Sequence, residues 1–127
     1  MADMTQFFIE GGFSMYPVLV FGLVMLAAAV RYAVDPEPAR LRTMHAVGWV
    51  LGVTILHALV TNFGAVMAHV SNPEICPDED VMRHLFMGLM ESTRPAALGG
   101  ALMSLALVFG VVGTARAGQR ELRSKAA

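Results

Sequence analysis

The chain is poor in charge, in lysine and in cysteine. Charged residues make up 15% of its 127 residues, and Lys125 is the only lysine. Ordinary soluble domains carry roughly 25% charged residues, so the composition argues against a water-exposed globular domain. With a net charge of -1, we predict that the chain does not bind nucleic acid. A single cysteine, Cys76, cannot form an internal disulfide, which excludes a disulfide-stapled scaffold.

What the chain has in abundance is apolar side chains. They account for 56% of the sequence, and the mean hydropathy is +0.59. Three apolar runs reach the roughly 20 residues that a helix needs to cross the hydrocarbon core of a bilayer. Since a backbone in lipid must satisfy its own hydrogen bonds, we predict an all-α fold, a single membrane domain over residues 1–127 with three transmembrane helices. The predicted spans are about 13–34, 44–70 and 96–117.

The segments between the spans are short. Residues Asp35–Thr43 are predicted to form a turn that Pro36 and Pro38 stiffen. The only sizeable loop covers 71–95 and contains Cys76. Within it, Val81–Thr93 has the apolar pattern of a helix, which we predict to be interfacial or packed on the bundle.

The basic residues predict the orientation, because cytoplasmic loops carry an excess of Lys and Arg. Seven of the nine lie on one side of the predicted spans, and only Arg83 and Arg94 lie on the other, together with most of the acids. We therefore predict a multi-pass protein of the cell inner membrane, with the N-terminus outside and the C-terminus in the cytoplasm. The seven residues on the cytoplasmic side are Arg31, Arg40, Arg42, Arg116, Arg120, Arg123 and Lys125.

The second span carries the most polar side chains. Thr54, His57 and Thr61 recur at helical spacing, and His57 lies near the middle of the span. An ionisable residue at that depth is by default a candidate functional residue. Two explanations stay open, either helix packing with hydroxyls bonded to backbone carbonyls, or a pore or ion path. For the second explanation Gly100 and Ser104 on the third span complete the pore-lining set.

Two further pairs are candidates for structural or surface roles. Gly48 and Gly52 form a GxxxG pair, a pattern that allows helices to approach closely. Glu91 and Arg94 are neighbours at the outer mouth of the third span. An exposed ion pair of this kind contributes little stability.

No pattern of catalytic or cofactor-binding residues is present. The sequence has no nucleophile–base motif, no phosphate-binding loop and no His or Cys pair at metal-ligand spacing. We therefore predict a protein that is not an enzyme and that needs no cofactor or metal. No Asp or Glu lies within a predicted span, so this chain supplies no membrane carboxylate.

The sequence around the first span resembles the MotA/TolQ/ExbB proton-channel family. That family has a glycine pair, an M-Y-P-x-L start and a basic residue that closes the helix. The third span is similar through Gly88, Glu91 and Gly99, and Thr54 stands at a threonine of the second span. The matching residues at the N-terminus are Gly11, Gly12, Met15, Tyr16, Pro17, Leu19 and Arg31.

This resemblance implies a pentameric ring of identical subunits around single-span partners of the ExbD/TolR/MotB type. The membrane aspartate of such a partner carries the proton, and proton flow drives work at the cell envelope. The chain departs from the family in two respects. A short turn replaces the family's long cytoplasmic insertion, and Ala96 stands where the family has its other channel threonine.

Two other functions remain open at this stage. Small three-span subunits anchor respiratory complexes and ligate haem, and His57 has the residue type for an axial ligand. The small-residue faces also suit a purely structural oligomeric scaffold. The glycine pair and M-Y-P start favour the ring.

Overall fold

The structure is a computed structural model, and it describes residues 12–76 and 80–126. Within these ranges the chain is all-helical. Three segments are long and apolar enough to cross a membrane, which confirms the predicted number of spans. They are Met15–Val34, Pro38–Val70 and Val81–Ala126. The four helices are α1 (Met15–Val34), α2 (Pro38–Val70), α3 (Val81–Ser92) and α4 (Arg94–Ala126).

Helix α1 packs against both long helices. It runs parallel to α4, with Gly22 against Leu102 and Tyr32 against Gly113, and antiparallel to α2, with Met25 against Gly48. It is the most enclosed span, since 33% of its most apolar 18-residue stretch is buried, against 11% of the corresponding stretch of α2. The bundle therefore leaves most of α2 uncovered. The buried core consists mainly of Val18, Met25, Ala29, Tyr32, Met44, Leu51, Ala58 and Ala106.

The start of α1 depends on a glycine. Gly12 has a φ of 71°, a conformation that residues with a Cβ rarely adopt. Its carbonyl accepts a hydrogen bond from the backbone N–H of Met15 at 3.1 Å, which begins the first turn. Pro17 lies in that same turn, where a missing N–H leaves no helical bond unmade. Gly11 lies outside the described residues.

The turn between α1 and α2 is shorter than the sequence predicts. Helix α2 begins at Pro38, not at residue 44, so only Asp35–Glu37 connect the two helices. Proline fits the first turn of a helix because its φ is already helical and its missing N–H would be unpaired there. Asp35 ties three helices together, since its carboxylate pairs with Arg40 and with Arg120, each at 3.0 Å.

Helix α3 packs along α2, which is one of the two positions that the sequence predicts for it. Gly88 of α3 lies against Val66, and Gly99 of α4 lies against Ile55. Helices α4 and α3 therefore contact successive positions along α2, although the chain breaks its helix at Thr93. The break has a local cause, because Pro95 has no N–H to donate to the carbonyl one turn earlier.

Cys76 is buried, with 1% of its surface exposed. Its position in a loop suggests an accessible thiol, and the structure corrects that expectation. The Asn72 carbonyl accepts the backbone N–H of Cys76 at 2.9 Å, and the Asn72 side chain accepts that of Glu74 at 3.0 Å. These bonds fold the loop back onto itself.

Candidate functional site

The three polar residues of α2 lie together in one groove. The groove, of about 370 Å³, runs between the start of α1 and the middle of α2. Thr54, His57 and Thr61 line one side of it, and Ser14 and Pro17 belong to the other. The sequence pattern therefore describes a real surface feature of the bundle.

The threonine hydroxyls of this groove donate to their own helix. Thr54 Oγ1 donates to the Val50 carbonyl at 2.7 Å, and Thr61 Oγ1 donates to the His57 carbonyl. These are the bonds that the helix-packing explanation requires. They leave the lone pairs of each hydroxyl oxygen available to accept a bond from water or from another chain.

One hydrogen bond connects the two walls of the groove. Asn62 Nδ2 of α2 donates to Ser14 Oγ, just ahead of α1, at 3.3 Å. It fixes the outer end of the groove by joining side chains 48 residues apart in sequence. Sequence reasoning did not single out Asn62, because no local pattern reveals a partner so distant.

The imidazole of His57 faces outward from the bundle. The residue is exposed, and its ring makes no hydrogen bond or ion pair with any residue in 12–76 or 80–126. It lies close to the middle of α2, on the helix with the least buried surface. The single bundle thus carries an uncovered polar side chain at mid-span.

Gly100 and Ser104 do not join this groove within one chain. Ser104 is exposed on α4, and a Cβ built on Gly100 would meet nothing within 4 Å. The groove beside Thr54 is lined by α2 and by residues at the start of α1. The predicted pore-lining set is therefore divided between two surfaces of the bundle.

Glu91 lies at the opposite end of the molecule from the basic cluster. It lines two cavities between α2 and α3, of about 180 and 350 Å³. No ion pair between Glu91 and Arg94 occurs in the part of the chain that the structure describes. The larger cavity also contains His69 and His84, whose ring centroids are 5.7 Å apart. No local pattern in the sequence predicts this contact, because a loop separates the two histidines.

Metal binding finds no support in this arrangement. Among residues 12–76 and 80–126, no three His, Cys, Asp or Glu side chains lie close enough to hold an ion. The two histidines and one carboxylate of the larger cavity are fewer ligands than a structural zinc site needs.

The closest helix approaches occur at glycines outside the GxxxG pair. Gly48 touches the end of the Met25 side chain, but Gly52 has no neighbour within 4 Å of a built Cβ. Gly22, Gly99 and Gly113 instead lie against other helices, at distances that leave no room for a methyl group. Their signal in the sequence is only their residue type, since glycine is common in membrane helices.

Comparison with known proteins yields no relative. The chain matches no family model, no curated protein and no solved structure.

Proposed function

We propose that the chain is a subunit of a homo-oligomeric ring in the inner membrane, similar to ExbB and TolQ. In this proposal the ring is a pentamer and works in a proton-driven complex with a single-span partner. The observation that carries the proposal is the polar groove of Thr54, His57 and Thr61, which lies on the surface of the single bundle.

The exposure of His57 supports association with other chains. A polar group that faces hydrocarbon without a partner costs free energy, and membrane proteins turn such groups towards other helices or water. His57 is exposed, and its ring forms no hydrogen bond with any residue in 12–76 or 80–126. A neighbouring protomer or a water-filled axis supplies the hydrogen-bond partner that His57 lacks within one chain.

Helix α2 also has the free surface that a neighbour needs. Its exposed large side chains include Trp49, Val53, Leu56 and Val60, and only 11% of its most apolar window is buried. Helix α1 is held between α2 and α4 and keeps an apolar outer face suited to lipid. The proposed ring therefore places α2 and α4 towards the axis and α1 outside.

The absence of carboxylates from the spans supports a partner that supplies the proton-carrying group. No Asp or Glu occurs in 15–34, 44–70 or 96–117. A proton path through the ring would need a titratable group from elsewhere, and a single-span partner with a membrane aspartate supplies it. Thr54, His57 and Thr61 would then provide the polar wall.

Imaging of particles purified in mild detergent tests the ring directly. We expect five-fold symmetric particles, with α2 and α4 next to the axis. A monomer by light scattering would contradict the proposal. A visible absorption spectrum of the same sample provides a second test, since a Soret band would instead indicate a haem-binding anchor. His57→Leu should weaken ring assembly, because it removes the uncovered polar group of α2. His45→Leu is its control, because His45 lies near the cytoplasmic end of α2 and should not affect assembly.

The proposed orientation predicts which introduced thiols a membrane-impermeant maleimide reaches. The background is Cys76→Ser, which removes the buried native thiol. In intact spheroplasts we expect Glu74→Cys to be labelled, because this exposed residue lies in the proposed outer loop. Ser124→Cys, exposed at the end of α4, should be labelled only after lysis. The reverse pattern would overturn the orientation.

A further inference from the structure

A second groove lies between α1 and α2, near the end of the molecule where the basic residues collect. Its volume is about 420 Å³. Its walls are apolar over two turns of α1, and arginines stand at its mouth. The lining residues are Val24, Ala27, Ala28, Arg31, Arg40, Thr43 and Val47.

The two arginines at the mouth differ in their partners. Arg40 is neutralised by Asp35 at 3.0 Å and by Glu37 at 3.3 Å. The guanidinium of Arg31 is exposed and forms no ion pair with any residue in 12–76 or 80–126. Arg31 is therefore the arginine at this groove with a charge still to be matched.

The surroundings of Arg31 are also positive. The helices bring seven basic side chains to this end of the bundle and only three acidic ones, Asp35, Glu37 and Glu121. An anion that approaches the groove along the membrane surface therefore meets an attractive field.

We propose that this groove binds one anionic phospholipid. The phosphate lies at Arg31, and one acyl chain follows the apolar walls formed by Val24, Ala27 and Val47. From Val24 to Arg31 the groove covers two helical turns, about 10 Å along α1 from the membrane surface towards its centre. A soluble anion has no acyl chain to pack against these apolar walls. The headgroup of a zwitterionic lipid has no net charge, so its electrostatic attraction to Arg31 is weaker.

Counting bound lipids by native mass spectrometry tests the site. The full-length protein is titrated in detergent with phosphatidylglycerol or with phosphatidylcholine. We expect phosphatidylglycerol to bind about fivefold more tightly, the factor that one arginine contributes near an anionic surface. Arg31→Ala should abolish this preference, and Arg31→Lys should keep most of it. Arg42→Ala is the matched control, because Arg42 is exposed at the same end but does not line the groove.

A groove-filling variant tests the acyl-chain part of the proposal without changing charge. Ala27→Trp should reduce binding of both lipids at least fivefold, whereas Ala101→Trp, at an exposed position of α4, should not. This variant decides the matter if Arg31→Ala fails to fold. Inorganic phosphate at millimolar concentration should not displace the lipid.

Each opposite result overturns the proposal in a specific way. Equal losses in Arg31→Ala and Arg42→Ala would mean a diffuse attraction of anions to the whole end. Displacement by inorganic phosphate would mean a site for a soluble anion. If Ala27→Trp bound both lipids as tightly as the unmodified protein, no acyl chain would occupy the groove. If Ala27→Trp changed the mass of the assembled protein and not the number of bound lipids, a second copy of the chain would be the occupant of the groove.

Discussion

Gly113→Ala is expected to destabilise the bundle by about 2 kcal/mol, within the usual range for forcing extra atoms into a packed core. A Cβ at this position would lie 2.5 Å from the Tyr32 ring and 3.0 Å from the Tyr32 carbonyl oxygen. Tyr32 is buried, so neither its ring nor its backbone has space to retreat. The substitution should therefore push α4 away from α1. A lower denaturant midpoint in detergent measures the effect.

Gly118→Ala is the control for this prediction. Gly118 lies on the same helix, but a Cβ there would meet nothing within 4 Å. The substitution should be neutral or stabilise the helix by up to about 1 kcal/mol, the difference in helix propensity between alanine and glycine. Equal stability of the two variants would show that α1 and α4 do not approach as closely as described.

Thr54→Cys is expected to react with small water-soluble thiol reagents in the assembled protein, on a Cys76→Ser background. The reagent attacks the thiolate, which forms in water but not in hydrocarbon. If the groove of Thr54, His57 and Thr61 faces a water-filled axis, labelling should approach completion. Thr54→Leu should then abolish ion conduction while leaving the ring intact, which electron microscopy of the variant would show.

Val20→Cys is the matched control for the thiol at Thr54. The contacts of Met25 with Gly48 and of Ser14 with Asn62 place residues near Val20 opposite Thr54, so the two positions share a depth. Val20 is 56% exposed on the apolar face of α1, which the proposal turns towards lipid. An unreactive Thr54→Cys in an assembled ring would show that the polar stripe serves only helix packing. Equal reactivity at both positions would contradict the placement of α1 outside.

The sequence predicted some local features of the fold closely and others poorly. Helix α3 begins at Val81, as its apolar pattern indicated, and Pro17 lies in the first turn of α1. The sequence predicts a turn after α1 that is longer than the one observed, because proline often marks a turn. At Pro38 it is instead the first residue of the helix. Proline serves both purposes, and only the path of the neighbouring helices distinguishes them.

The candidate site was predicted in part. The spacing of Thr54, His57 and Thr61 placed them on one face of a helix, and the structure has them in one groove. The sequence could not reveal that Ser14 and Pro17 form the opposite wall, or that Gly100 and Ser104 lie elsewhere. Contacts between helices depend on the rotation of each helix about its axis, which hydropathy alone does not set.

The sequence by itself determined that this chain is helical, that it has three spans, and that its basic residues collect at one end. These properties follow from the composition and from the positions of apolar and basic residues along the chain. In lipid a backbone must satisfy its own hydrogen bonds, so long apolar segments form helices. The tertiary structure decided which glycines lie against other helices, that Cys76 is buried, and that Arg31 rather than Arg40 keeps an unmatched charge. The glycine contacts join residues distant in sequence, and the ion pairs of Arg40 depend on how the short turn between α1 and α2 folds. In lipid such contacts are selected by close packing and hydrogen bonds rather than by hydrophobicity, which the spans share with their surroundings.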